Sequence, residues 1–448
     1  MTDRRRCADC RRSPSYHLRA TDRFCRYALR MNMPLRSVLL VASLALAACQ
    51  REPVPPATTT ATTASSQFVR HDWLLPTSPG AAQPDLVATS DGRLLLSWIN
   101  RVPGRRTALQ FAAFGSNAQW QSAPKTVAVG DSFFINWADT PHIAATADGA
   151  LWVHWLQKSA DAPYAYDVLL SRSLDDGFNW SPPVLVNNDG KTVEHGFVSL
   201  WQQSRDTLGV AWLDARNSGS EGAHGGMMSL RSAIFSRRLQ RTGETEIDAS
   251  TCDCCQTDVA MTARGPLLVY RDRTAAEIRD IYAARRDGDT WTAPKPVHAD
   301  GWKMPACPVN GPAVAAIGND AVVAWYTAAN DKPTVKLARS TDAGDSFAAP
   351  ITLEQGEAVQ GRVDVALDTA QAWVLWIRED AGGQSVWLAR YAPDLSRELS
   401  RVEVARLQGR GRATGFPQLA LRDGNAYLVW TDIVDGAPQL RGAMFSRN

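Results

Sequence analysis

Net charge is nearly absent from this chain: Lys and Arg exceed Asp and Glu by only two over 448 residues. A chain so close to neutral carries no electrostatic footprint for a polyanion. The small excess is also badly distributed. Nine arginines against three aspartates fall within residues 1–30, and Arg36 adds one more positive charge, so the remainder is net negative. This argues against nucleic acid as a partner. A long hydrophobic run is lacking too: the apolar stretch SVLLVASLALAA at residues 37–48 is too short for a comfortable membrane span. Cysteine is sparse, eight in all, and the Cys7–Cys10 pair in C-x-x-C spacing has no second pair at zinc-ribbon distance. What remains is 45% hydrophobic residues and a mean hydropathy of −0.24, which suit a soluble globular protein with a large core.

From Met31 the order is a short basic segment, MNMPLR, the apolar stretch, and then LAAC at Leu46–Cys49. This resembles a bacterial lipoprotein signal with its lipobox. The resemblance implies cleavage before Cys49, lipidation of its thiol, and outer-membrane sorting, since Gln50 rather than aspartate follows. An ordinary secretory signal is the alternative. The reading divides the chain into an upstream extension at 1–30, with Met31 or Met33 the true start, a signal peptide at 31–48, a tether at 49–66 and a folded domain at 67–448. The tether is rich in Pro, Thr and Ala and has nothing to bury.

A pattern then recurs from residue 84: a short strand, a turn often written DG, and an apolar strand ending in an aromatic residue. The anchors are Trp98, Trp155, Trp212, Tyr270, Trp325, Trp376 and Trp430, spaced 57, 57, 58, 55, 51 and 54 residues apart. A period in the fifties filled with short β-patterned runs predicts an all-β propeller with one four-stranded blade per repeat. Seven blades are expected, with six as the alternative. The last repeat ends without a fourth strand, which FVRHDWLLP at residues 68–76 can supply from the N-terminal side, closing the ring and removing open edges.

Two turns carry S-x-D-x-G-x-x-[WF]: Ser173, Asp175, Gly177 and Trp180, and Ser340, Asp342, Gly344 and Phe347. RRDGDTW around Trp291 is a worn third copy. They resemble the Asp-box of the sialidase superfamily, which is structural: Asp and Gly hold a tight turn and the ring packs between blades.

In such a blade the DG turns and Asp-boxes share one face, and the remaining loops surround the channel on the other. Distinctive sequence gathers on that second face, in the 213–228, 252–257, 271–280 and 302–312 loops and at Arg362. It offers Arg216, Arg271, Arg273, Arg362 and His224 for an anionic ligand, most simply an acidic glycan, and Asp214, Asp272, Asp280, Glu277 and Tyr326 for catalysis. CDCCQT and GWKMPACPV enter adjacent blades, so Cys307 is expected near Cys252, Cys254 and Cys255. In an oxidising envelope a disulfide from Cys307 to one of the trio is favoured. Thiolate binding of copper or zinc, helped by Met304 or His298, and free redox-active thiols are the alternatives.

Over residues 84–448 the chain resembles envelope proteins of the sialidase-like, BNR-repeat family, through CxCCQT, YRDR with EIRDI, and CPVNGPA. Sialidases pair an arginine triad with a tyrosine nucleophile, a glutamate and an aspartate acid/base, so the resemblance implies at most an exo-glycosidase of that type. The sialidase motif [FY]-R-I-P is absent, and no member of the catalytic set can be transferred by motif. A metal-handling protein and a non-catalytic interaction scaffold are the other readings, with the membrane reached only through the lipid anchor.

Overall fold

The computed structural model describes residues 68–218 and 227–447. The extension, the signal, Cys49, the tether and His224 lie outside the described residues. Seven antiparallel sheets follow one another along the chain, and the fold is a seven-bladed β-propeller. In the fourth blade two short strands, Thr290–Trp291 and Lys295–Pro296, together edge Ile281–Asp287.

Burial explains the blade. The second strand of each repeat is mostly apolar because sheets cover both of its faces: Leu208–Asp214 and Leu94–Asn100 are buried along almost their whole length. The outermost strands, such as Arg241–Thr251 and Glu398–Arg406, are mostly polar and partly exposed. All seven anchor aromatics are buried.

The ring closes as the sequence suggests. Phe68–Asp72 pairs with Ala437–Arg447 and completes the seventh blade from the N-terminal side. Phe68 meets Trp373 of the sixth blade edge-on at 4.8 Å, while Trp73 packs with Phe114, Trp120 and Tyr427.

The Asp-boxes act as turn clamps. Ser173 Oγ donates to Asp175 Oδ1 at 2.8 Å and accepts from the Gly177 N–H at 2.9 Å. Trp180 lies edge-on to Phe111 of the preceding blade at 5.8 Å. Ser340, Asp342 and Gly344 repeat the geometry, and Phe347 packs into the cluster shared by the fourth and fifth blades. The worn copy keeps its ring contact: Trp291 lies edge-on to Trp201 at 5.9 Å and donates to Ser232 Oγ.

Around the axis, aspartates tie four of the blades to the next. Asp85 accepts the Ile143 N–H at 2.7 Å, Asp139 that of Phe197 at 2.8 Å, Asp258 that of Val314 at 2.7 Å and Asp364 that of Leu419 at 2.6 Å. Leaving one such buried N–H without a partner costs about 1–3 kcal/mol. Asp85, Asp258 and Asp364 line an axial cavity of about 280 Å³ together with His142. Burial pushes Asp258 up to about 6 and Asp364 up to about 8. The channel wall is therefore acidic, not basic.

Candidate functional site

CDCCQT connects Arg241–Thr251 to Asp258–Thr262, and residues 297–312 connect the edge of the fourth blade to Ala313–Ile317. Asp253 and Cys254 occupy a turn, which folds Cys252 back toward Cys255. Their sulfurs stand 3.4 Å apart, and Cys252 and Cys254 are 3.8 Å apart. Cys254, Cys307 and the Asp253 carboxylate also converge, with ligand atoms within 4.8 Å of one another. The expected approach of Cys307 to the trio is what the geometry has; the favoured disulfide is not. None of the four is joined in a disulfide, and the two separations from Cys252 stand well beyond the ~2.05 Å of a bond.

The surroundings hold this cluster rigidly. Gln256 bridges two loops, donating to Ala138 O at 2.6 Å and accepting the Gly311 N–H at 3.0 Å. Gly311 must be glycine: a Cβ there would come within 2.3 Å of Gln256 O. Asn310 donates its N–H to Cys255 Sγ at 3.4 Å, and its Oδ1 accepts the Arg362 N–H at 2.8 Å. Arg279, buried, donates to Cys252 Sγ at 3.1 Å, Asp253 at 3.2 Å and Glu277 at 2.9 Å. Burial opposes ionisation of Cys252, yet hydrogen bonds from Cys254 and Cys255 and the charges of Arg271 and Arg279 outweigh it and hold this thiol well below its usual value.

The arginines expected to grip an anion are engaged within the protein. Arg271 is buried and gives its donors to the carbonyls of Asn310, Arg279 and Tyr326 at 2.7–3.0 Å, under the Trp302 ring. Arg362 sits at a β-bulge with φ +52°, which turns its guanidinium toward Gly411, Thr414 and Gly415, stacked on Trp137. Arg216 pairs with Asp214 at 2.6 Å and Glu244 at 2.9 Å. Arg273 binds Glu277 at 2.9 Å but lines an open pocket.

Asp214 is buried in the Arg216 pair and also accepts from Trp212 Nε1, within a cluster that includes His195 and Asp189. Asp280 accepts the Gly301 and Trp302 N–H groups and so holds a loop. Tyr326 packs edge-on to Trp302, and among the described residues no hydrogen bond joins it to Glu277, whose partners are Arg273 and Arg279. A tyrosine–glutamate couple is not assembled from these two.

Asp272 is different. It lines a pocket of about 550 Å³ between the third and fourth blades with Asp248, Ser250, Arg273, Thr274 and Glu277. Burial, then the charge of Asp248, pushes Asp272 up to about 7, and the two carboxyls lie in hydrogen-bonding range. Tyr270 donates its hydroxyl to Asp248 Oδ2 at 2.5 Å. Asp272 thus exchanges its proton near neutral pH in this open pocket, with the buried Tyr270 hydroxyl bound behind it to Asp248. Asp248, Ser250, Asp253 and Asn310 are the members that sequence reasoning missed. Asp248 has a faint signal: it lies near the end of the strand ETEIDAST that reaches the loop face.

Residues 104–425 match the family described as BNR repeat-like domain. Among solved structures, the polysaccharide lyase Uly1 is similar, with 11% identity, a TM-score of 0.48, and 89% of this chain and 95% of that one covered. An α-L-arabinofuranosidase from Fusarium graminearum has 12% identity and a TM-score of 0.43, covering 85% and 97%. The NanB sialidase from Streptococcus pneumoniae has 10% identity and a TM-score of 0.43, covering 82% and 68%. These are likenesses of fold. No curated protein sequence matches the chain.

Proposed function

This chain belongs to the BNR repeat-like family, and from that premise we propose that it is an envelope lipoprotein whose propeller binds a glycan in the pocket between the third and fourth blades. The observation that carries the reading is the lining of that pocket. Asp248, Ser250, Asp272, Arg273, Thr274 and Glu277 outnumber the apolar Met227 and Ala275. Such a wall offers donors and acceptors at several angles, which suits a polyhydroxyl ligand and repels an apolar one. An acidic sugar would meet Arg273 but also three carboxyls, so a neutral or amino sugar fits better than the acidic glycan that the arginine count suggests. Asp272, protonated beside Asp248, gives the pocket a proton donor for acid–base chemistry on the glycan.

Calorimetric titration against neutral, amino and acidic oligosaccharides tests this. Asp272 has a raised pKa, so its proton is present below about pH 7 and leaves above it. Affinity should fall as pH rises through about 7. In Asp272→Asn, which keeps a donor at every pH, it should be flat. No binding to any of the sugars, or an unchanged pH profile in Asp272→Asn, would sink the proposal. A fluorogenic glycoside series run beside it reads whether binding is followed by hydrolysis.

The anchor is a separate part of the proposal. Replacing Cys49 with Ala should move the protein from the membrane fraction to the soluble envelope fraction; retention in the membrane would remove lipidation from the account.

A further inference from the structure

We propose that Cys252, Cys254, Cys255 and Cys307 bind one thiophilic d¹⁰ metal ion, Zn(II) or Cu(I). The inference stands apart from the glycan reading, since none of these residues lines the sugar pocket.

Four observations carry it. Sulfurs bound at ~2.3 Å to one tetrahedral ion stand about 3.8 Å apart. Here Cys252 lies 3.8 Å from Cys254 and 3.4 Å from Cys255, and Cys307 joins Cys254 from the adjacent loop. Second, two N–H donors point at sulfur, from Arg279 to Cys252 and from Asn310 to Cys255. Donors of this kind orient ligands and stabilise thiolates around a metal. Third, positive charge is buried beside the cluster. Arg271 donates only to main-chain carbonyls, which neutralise none of its charge, and Arg279 is shared between Cys252 and carboxylates. Four thiolates around a dication, or three around a monocation, are net anionic and balance it. Fourth, there is a way in. The trio is buried, but Cys307 is partly exposed on a loop whose Pro305 and Ala306 face solvent. Binding needs only loss of thiol protons to solvent.

The full-length protein, reduced anaerobically, would be given Zn(II) or Cu(I), dialysed, and assayed for metal content and for alkylation of its thiols without denaturant. One ion per chain is expected, with sulfur ligands at about 2.3 Å by X-ray absorption. Against the metal-free protein, Zn(II) should protect the partly exposed Cys307 from alkylation, whereas Cu(I), satisfied by the three buried sulfurs, should leave Cys307 reactive. Replacing Cys7, Cys10, Cys25 and Cys49 together with Ser should leave the stoichiometry unchanged, and Cys254→Ser should abolish it. If Cys254→Ser does not fold, the alkylation pattern of the unsubstituted protein reads the same site. Loss of all metal on dialysis, a spectrum with only oxygen or nitrogen ligands, or a protein whose mass shows these cysteines joined as disulfides would each overturn the proposal.

Discussion

A chain that begins at Trp73, lacking Phe68–Asp72, is expected to lose about 10 °C or more of thermal stability and to unfold over a broader range. The strand makes five register pairs with Ala437–Arg447. Its Phe68 is held between Trp373 and the Arg390 guanidinium, which lies 4.0 Å from the ring centre. Phe68 is partly buried, so losing its ring costs about 1–3 kcal/mol, less than a fully buried Phe, and each strand hydrogen bond adds about 1 kcal/mol net. The consequence is larger than the local contacts, because the strand is the one that closes the ring. Without it the edge of Ala437–Arg447 is left unpaired, and an open edge is a template for association. Differential scanning calorimetry and light scattering on the two chains would test this. An unchanged midpoint would mean that the seven sheets hold together by blade packing alone. A milder test is Phe68→Ala, which leaves the strand in place and removes only the ring; it should show a smaller loss and no increase in scattering.

That closure was legible in the sequence because a propeller is periodic. Seven anchors at spacings between 51 and 58 residues, and a last repeat short of one strand, predict both the blade count and the role of residues 68–76. Periodicity says which face a loop lies on, and so it also predicts that Cys307 approaches the trio. It does not say where a side chain ends once it is there. Arg362 is on the expected face, yet the bulge at its own position turns the guanidinium into the 411–415 loop. Asp272 and Asp280 each follow an arginine and lie in the same loop, and their packing separates them. Asp280 accepts two N–H donors, while Asp272 faces Asp248, which lies 24 positions earlier in the chain (272 − 248) and on another blade. Long-range placement of that kind depends on strand bends at the blade edge, which short patterns do not encode. The disulfide preference failed for a related reason: it came from compartment and cysteine parity, whereas the turn at Asp253–Cys254 sets the sulfurs at metal-like spacing. The structure also joins what the sequence keeps separate. Arg273, Glu277 and Arg279 form one chain of ion pairs from the pocket between the third and fourth blades to the thiol cluster.

Arg271→Ala is expected to cost about 3–5 kcal/mol of folding stability, whereas Arg273→Ala, two residues away, should cost less than about 1 kcal/mol. The difference follows from what each guanidinium touches. Arg271 reaches across from the fourth blade to Asn310 O and Tyr326 O of the fifth and returns to Arg279 O. Removing it strands three buried carbonyls and opens a void under Trp302. Lysine cannot replace it, since one ammonium does not span three acceptors that a planar fork reaches together, so Arg271→Lys should recover only part of the loss. Arg273 lies at the rim of the pocket in a partly exposed pair with Glu277, where solvent screens the interaction. Urea unfolding of the three variants, with the oligosaccharide titration run on each, separates a staple from a ligand contact. A staple lowers the unfolding midpoint and leaves the affinity of the folded fraction intact; a ligand contact does the reverse. Arg273 should follow the second pattern and Arg271 the first. If Arg271→Ala folded normally and lost its glycan, the ligand would lie over the axial face and not between the third and fourth blades, and the acidic sugars would return as the better candidates.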